Sequence, residues 1–283
     1  SAIVLASLVE RGVLDLEARV ADYWPEFATA GKRDVRVDEL LSHRAGLPEA
    51  DEPLTWDELV DDARGAARLA GQRAFWAPGT AWSYHAVTLG VLMNELCRRI
   101  TGSSIQQVYE REIRAPRDIE LYLGLPAELE DRVAPVLLPG ELPTRRAAGR
   151  GVLDLVVERM LFDPGFDTFA NSRESHAAGM PAAGGVGSAR GVAHAYAAVG
   201  SEVGGPRLLT DDTVALFAQV RSSGNDLYSG QAGQFGIVFQ TPSSFRPFAG
   251  HRAIGHDGAA GALGFYDPAN GLAFGFTTNR PAP

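Results

Sequence analysis

The run Phe75-Trp76-Ala77-Pro78-Gly79-Thr80-Ala81-Trp82-Ser83-Tyr84-His85-Ala86 places a Pro-Gly turn before an aromatic-rich stretch, with Tyr84 and His85 just ahead of an apolar segment that begins at Val87. A tyrosine held there in an electropositive environment gains general-base capacity if its pKa falls, and Trp82 and His85 become candidate pocket residues. The plain reading of the same run makes Trp82 and Tyr84 core aromatics. The second stretch, Ile254-Gly255-His256-Asp257-Gly258-Ala259-Ala260-Gly261-Ala262-Leu263-Gly264, reads as a strand with glycines where side chains normally pack. Such glycines mark close backbone approach to a ligand, and an unpaired N–H at that place can donate to a developing oxyanion. His256 and Asp257 are the chemistry-bearing side chains beside it.

Other patterns carry less. Gly185-Val186-Gly187-Ser188-Ala189-Arg190-Gly191 loosely resembles a dinucleotide loop, but Met180-Pro181-Ala182-Ala183-Gly184 before it is no strand, so a glycine turn feeding a helix capped by Ser188 is expected instead. A G-x-S-x-G elbow is absent, because Val186 stands where the first glycine would be relative to Ser188. His251, His256 and Asp257 lack any recognised metal-ligand spacing, and no metal or other cofactor is expected. Ser42 and Ser83 each adjoin a histidine in sequence, yet adjacent residues rarely point at one atom, so both read as structural. Ser1 with its own free amine is a remote alternative nucleophile.

Composition narrows the partners. Asp plus Glu number 35 against 26 Lys plus Arg, a formal charge of -9 that repels phosphate backbones, so nucleic acid is not expected. Lys32, in the polar loop Ala30-Gly31-Lys32-Arg33-Asp34, is the only lysine, so a mechanism that needs one must use it or look outside these residues. Cys97 is the only cysteine, which excludes an internal disulfide and a Cys-based zinc site. No apolar run approaches the roughly 20 residues of a spanning helix, and no basic region precedes Ile3, so no membrane partner is expected and a cytoplasmic location is favoured.

The elements that must position these groups follow from periodicity and caps. Ile3, Val4, Leu5, Leu8 and Val9 predict a helix ending at Gly12; Val37 to Leu41 a short helix; and Thr55-Trp56-Asp57-Glu58 a capping box opening a helix to about Leu69. Val87 to Ile100 predicts a helix stopped by Gly102, and Ser103 or Ser104 caps another that ends before Pro116. Further on, a strand is expected over 119–124, a helix over 152–162, and a helix from Thr210 to about Arg221. Past Gly230 the pattern predicts strands over 234–240, 259–266 and 272–278, the last two joined by the turn Asp267-Pro268-Ala269-Asn270-Gly271. Helices first and antiparallel strands last imply an α+β class in a single domain over 1–283, a helical lobe in the first two thirds and the sheet strands at about 233–280.

Taken together and in order, Leu40-Leu41-Ser42-His43-Arg44-Ala45-Gly46-Leu47, Pro78-Gly79-Thr80, Ser83-Tyr84-His85-Ala86, Gly255-His256-Asp257-Gly258 and Thr277-Thr278-Asn279-Arg280 resemble the serine β-lactamase/DD-peptidase superfamily, in its branch of class C β-lactamase-like carboxylesterases. The resemblance runs along nearly the whole chain and implies a β-lactamase/transpeptidase-like fold, an antiparallel sheet flanked by helices beside a helical lobe. It implies a serine hydrolase that cleaves small-molecule esters or amides through an acyl-enzyme. Tyr84 then matches the proton-shuttling tyrosine, with Ala86 where the family has Asn or Ser. His256 and Gly258 match its H-x-G variant of K-T-G, and the Ala259 N–H would be an oxyanion donor. Histidine in place of lysine leans toward ester substrates over β-lactams or D-peptides. The family's S-x-x-K nucleophile motif is absent, since Thr29 precedes Lys32 by three. The resemblance therefore implies a chain truncated at both ends, with the motif upstream of Ser1; a non-catalytic relative that keeps the pocket to bind a ligand is the alternative.

Overall fold

A computed structural model of the chain describes residues 1–137, 166–258 and 261–280. The first helix, α1 (Ala2–Glu10), forms where expected and buries Ile3, Val4, Leu5, Ala6 and Leu8. The short helices α2 (Val20–Tyr23) and α3 (Val37–Leu41) follow, joined at their starts by an antiparallel bridge between Arg19 and Arg36. Between them Trp24 and Phe27 pack with ring centroids 5.2 Å apart. Lys32 is fully buried next to them. Its ammonium lies 5.4 Å from the Phe27 centroid and donates to the carbonyls of Thr29 at 3.1 Å, Ala70 at 2.9 Å and Gln72. The lysine uses its three donors on backbone acceptors and staples this loop to the end of a later helix, so its work is structural.

Thr55 opens its helix as a capping box, accepting from the Glu58 N–H at 3.3 Å while the Glu58 carboxylate accepts from the Thr55 N–H at 2.8 Å. The expected single helix is instead two, α4 (Trp56–Val60) and α5 (Asp62–Gly71), broken at Asp61. Gly65 lets the second fold back on the first, since a Cβ there would stand 2.7 Å from the Glu58 carbonyl oxygen. Next, α6 (Thr88–Thr101) buries Leu89, Leu92, Met93 and Leu96 and stops at Gly102, left-handed at φ 71°. Ser104 then caps α7 (Ile105–Val108), and helical winding continues as a π turn over Tyr109–Arg114 and a 3-10 turn over Ala115–Arg117 that takes in Pro116.

Strand β1 (Leu121–Leu123) pairs antiparallel with β2 (Gly185–Gly187), and α8 (Phe166–Asn171) and α9 (Arg173–Ala178) lie between them in sequence. The helix expected over 152–162 lies outside the described residues. The Gly185-Val186-Gly187 run is thus a short strand, and Ser188 caps α10 (Ala189–Gly200) by accepting from the Gly191 N–H at 3.0 Å. Thr210 caps α11 (Asp211–Ala218), which ends short of Arg221 because the Arg221 N–H already donates to the Phe235 carbonyl at 2.8 Å.

The main sheet begins earlier than its sequence pattern implied. Strands β3 (Ser222–Asn225) and β4 (Ala232–Phe235) form one antiparallel pair, and β5 (Ile254–Asp257), β6 (Leu263–Asp267) and β7 (Leu272–Phe276) form an antiparallel set. Gln240, bridged to Phe235 on one side and Gly255 on the other, joins the two parts. The strand expected over 234–240 therefore breaks after Phe235. Its apolar residues Ile237, Val238 and Phe239 are buried in a bend in which the Ile237 N–H donates to the Phe217 carbonyl and the Val238 N–H to that of Leu41. Helical neighbours, not a strand, satisfy that backbone, and Val238 accepts a positive φ of 64° to do so.

Helix α10 crosses β6 and β7 at close range. A Cβ on Gly264 would lie 2.4 Å from the Tyr196 ring, and one on Gly275 2.2 Å from the Ala189 carbonyl oxygen. The glycine at 264, read as an approach for a ligand, borders the cavity and also admits this helix at close range. Among the described residues no helix is long and apolar enough to cross a membrane. Replacing Lys32 with Met, which removes the ammonium shared by the Thr29, Ala70 and Gln72 carbonyls, is expected to lower the unfolding free energy by about 1–3 kcal/mol, measured by urea denaturation.

Candidate active site

Residues 77–86 hold no regular structure, so their geometry comes from what pins them. Gly79 turns at φ 81°, and a Cβ there would lie 2.3 Å from a Glu39 carboxylate oxygen; its N–H donates to the Arg44 carbonyl at 3.0 Å. The Ser83 N–H donates to the His43 carbonyl at 3.2 Å. The buried Asp226 carboxylate then fixes the next residue, accepting from Ser83 Oγ at 2.8 Å and from the Tyr84 N–H at 2.6 Å. It also accepts the Tyr228 and Ser229 N–H groups, both at 2.8 Å, so one carboxylate ties the Tyr84 segment to the loop between β3 and β4.

Held this way, the Tyr84 hydroxyl lies 3.4 Å from His256 Nε2 on β5. The Tyr84 ring stacks on Phe235, centroids 5.5 Å apart and planes 17° apart, and His43 leans on it at 5.0 Å. His256 Nδ1 faces the Asp257 carbonyl oxygen, which assigns the proton to Nδ1 and leaves Nε2 as the acceptor toward Tyr84. Burial, reinforced by the Arg246 guanidinium, lowers the His256 pKa to about 4. Burial also raises that of Tyr84 to about 12, outweighing the downward pull of Arg246. The pair is therefore neutral at physiological pH. Among the described residues the electropositive setting expected for Tyr84 is Arg246, and desolvation wins over it.

The other sequence candidates separate. Trp82 lines the cavity with its indole N–H donating to the Ser223 carbonyl at 3.1 Å, and the Asp257 carboxylate accepts from the Gln240 amide at 2.6 Å. His85 does not reach the cavity. It is buried behind Tyr84, where its Nε2 accepts from the Leu47 N–H at 3.0 Å and its Nδ1 donates to the Ser83 carbonyl at 2.6 Å, so its ring nitrogens serve the backbone. Gly258 borders the cavity in a turn in which its own N–H donates to the Ala262 carbonyl at 2.7 Å. Ala259, expected to donate to an oxyanion, lies outside the described residues. Asp226, Gln240 and Arg246 escaped sequence reasoning, because nothing in their local patterns distinguishes them from ordinary polar loop residues, and His43 entered it only as part of the Leu40–Leu47 motif.

The cavity has a volume of about 1300 Å³. Trp82, Tyr84 and His256 border it on the sheet side, and Leu121, Leu123 and Phe169 add an apolar wall. The Ser1 hydroxyl also borders it but donates to the Pro181 carbonyl at 2.6 Å. Among the described residues no group of three or more His, Cys, Asp or Glu side chains could hold a metal ion. A neutral tyrosine–imidazole contact at the edge of a partly apolar cavity can carry a proton between two oxygens of a bound molecule.

The model of the beta-lactamase family matches residues 1–283. The chain belongs to the beta-lactamase family. Within it, the chain is 32% identical to the esterase/beta-lactamase LipL of Mycobacterium tuberculosis, a match that takes in 99% of this chain and 67% of that protein. Among solved structures it resembles EstA from Arthrobacter nitroguajacolicus Rue61a, with a TM-score of 0.92, 41% identity, and 100% of this chain matched to 76% of the other. A family VIII carboxylesterase is similar at a TM-score of 0.86 and 33% identity, with 99% of this chain and 75% of the other covered. A penicillin-binding protein homolog from Caulobacter crescentus follows at 0.84 and 28%, with the same coverage. This beta-lactamase-family member thus has the β-lactamase/transpeptidase-like fold and belongs among esterase/beta-lactamase-like hydrolases.

Substituting Asp226 with Asn, which removes the charge that its four donors share, is expected to lower stability by about 1–3 kcal/mol in urea melts. The histidines predict a pH effect. With His256 at about 4 and His43 also well below 6.5, the unfolded chain binds more protons than the folded one below pH 6.5. The histidine contribution to stability should therefore fall as pH drops from about 6.5 toward 5, and His256→Gln should flatten that slope.

Proposed function

We propose that this beta-lactamase-family chain carries the proton-transfer side of a serine hydrolase active site that cleaves small-molecule esters through an acyl-enzyme. The observation that carries the reading is the Tyr84 hydroxyl held 3.4 Å from a neutral His256 at the cavity wall. A serine hydroxyl attacking an ester carbonyl must lose its proton, and the departing alkoxide must gain one. Tyr84 serves both needs once its phenol proton has passed to His256 Nε2: the resulting phenolate takes the serine proton as the acyl bond forms and delivers it to the leaving oxygen as the alcohol departs, and the imidazolium then returns its proton to the phenolate. His256 Nε2 accepts from the phenol and holds it oriented; Nδ1, engaged by the Asp257 carbonyl, keeps that acceptor free. Water then hydrolyses the acyl-serine by the reverse sequence. The 283 residues contain no Ser-x-x-Lys, so the reading requires the nucleophile to come from sequence outside them.

Esters are favoured over β-lactams because a β-lactam brings a carboxylate, and the side chain at the strand position nearest Tyr84 is an uncharged imidazole. The similarity to an esterase/beta-lactamase and to a family VIII carboxylesterase supports the same choice. A fluorophosphonate probe tests the mechanism. A polypeptide that includes the chain and a Ser-x-x-Lys segment is expected to gain one covalent adduct by intact mass and to hydrolyse p-nitrophenyl butyrate faster than nitrocefin, whereas residues 1–283 alone gain none. In that polypeptide Tyr84→Phe should lower kcat/KM by roughly 10²–10⁴-fold. An adduct on residues 1–283 would overturn the assignment of the nucleophile, and absence of any adduct on the longer polypeptide would favour the ligand-binding alternative.

A further inference from the structure

Arg246, on the loop between Gln240 and β5, lines the same cavity as Tyr84 and His256. Its guanidinium pairs with the Asp257 carboxylate, the residue next to His256. That carboxylate is itself fixed: it accepts from the Gln240 amide at 2.6 Å, while the Asp257 N–H donates back to Gln240 Oε1 at 3.1 Å. Gln240 is in turn clamped between Phe235 and Gly255 by its bridges. A cation that the sequence leaves on a loop is therefore held by the sheet at a defined place beside the proton-carrying pair.

Among the described residues, the other ionisable groups near Tyr84 are occupied or neutral. Asp226 faces it from the loop between β3 and β4, with its oxygens taken by Ser83, Tyr84, Tyr228 and Ser229. His43 and His256 are buried and uncharged at neutral pH, and His85 is bound to backbone on its far side. Arg132, also on the cavity wall, is paired with Glu120, and Lys32 is buried against Phe27. The adjustable charge at Tyr84 is thus Arg246 against Asp257, and with about a third of each side chain exposed the two neither cancel fully nor act unscreened.

We propose that Arg246 and Asp257 are an opposed pair of positioning residues that set the proton affinity of Tyr84 and His256, Arg246 easing formation of the phenolate and Asp257 restraining that effect. The inference rests on the reading of Tyr84 as the proton carrier. Its physical basis is that a fixed cation favours a phenolate and disfavours an imidazolium, and Arg246 acts on both groups with those signs. The arrangement assigns to an arginine on a loop the electrostatic work that a neutral histidine at 256 cannot do.

The two members of the pair should shift titrations in opposite directions, which a structural role would not. In the polypeptide that includes Ser-x-x-Lys, Arg246→Gln is expected to move the rising limb of the kcat/KM–pH profile up by about one pH unit, and Asp257→Asn to move it down. Arg246→Lys should restore most of the wild-type profile. Independently of activity, NMR of the His256 imidazole should show its pKa rising in Arg246→Gln and falling in Asp257→Asn. Wild-type ester hydrolysis with neither titration moved, or with both variants shifting the same way, would overturn the pair while leaving the hydrolase reading intact. A wild-type protein with no adduct and no hydrolysis would overturn that reading instead, and the His256 titrations alone would then decide whether the pair tunes the site.

Discussion

A single buried carboxylate, Asp226, connects the parts of this molecule that have to meet at the cavity. Its four hydrogen-bond donors come from Ser83 and Tyr84 on one side and from Tyr228 and Ser229 on the other. The Tyr84 segment has no secondary structure of its own, and a segment without a ladder or a helix is positioned only by what it bonds to. Because charge-assisted bonds to backbone N–H groups are short and directional, the Tyr84 ring is delivered to Phe235 and its hydroxyl to His256 with little freedom left.

Lys32 follows the same logic with the opposite charge, since it too is a buried ion satisfied by backbone groups, here the carbonyls of Thr29, Ala70 and Gln72. Each ion joins stretches of chain distant in sequence, and each is costly to leave unpaired. Glycine makes the complementary contribution in the sheet. Gly264 and Gly275 remove side chains where α10 crosses β6 and β7, so the helix covers that face at backbone distance. Its cover leaves His256, at the end of β5, beside the cavity.

Desolvation then decides the state of the site. It raises Tyr84 and lowers His256, so both stay neutral and a weak, long hydrogen bond links them. In the proposed reading, a neutral pair can pass a proton along and take it back within one catalytic cycle, provided some charge eases the transient ionisation. Arg246, held by Asp257, is placed to supply that charge, and the similarity to esterases and to a penicillin-binding protein homolog sets this arrangement within a family whose members share the fold.

Much of the architecture was legible in the sequence because it is local. The capping box at Thr55, the serine cap at 103 or 104, the glycine stop at Gly102 and the β6–β7 hairpin around Asp267 to Gly271 depend on residues a few positions apart. Tyr84 and His256 were legible through the ordered motifs around them. Other departures arise where a distant segment supplies the partner. The apolar run at 236–239 bends because Phe217 and Leu41 take its N–H groups, and Gly264 faces a helix. His85 turns away to the backbone of Leu47 and Ser83. Residue types and local spacing thus determined most of the elements, and the resemblance of the ordered motifs pointed to the tyrosine and the histidine. Tertiary packing alone decided that Asp226 holds the tyrosine segment, that burial keeps the tyrosine and the histidine neutral and that Arg246 is the cation beside them, because desolvation and charge are set by what surrounds a residue in space.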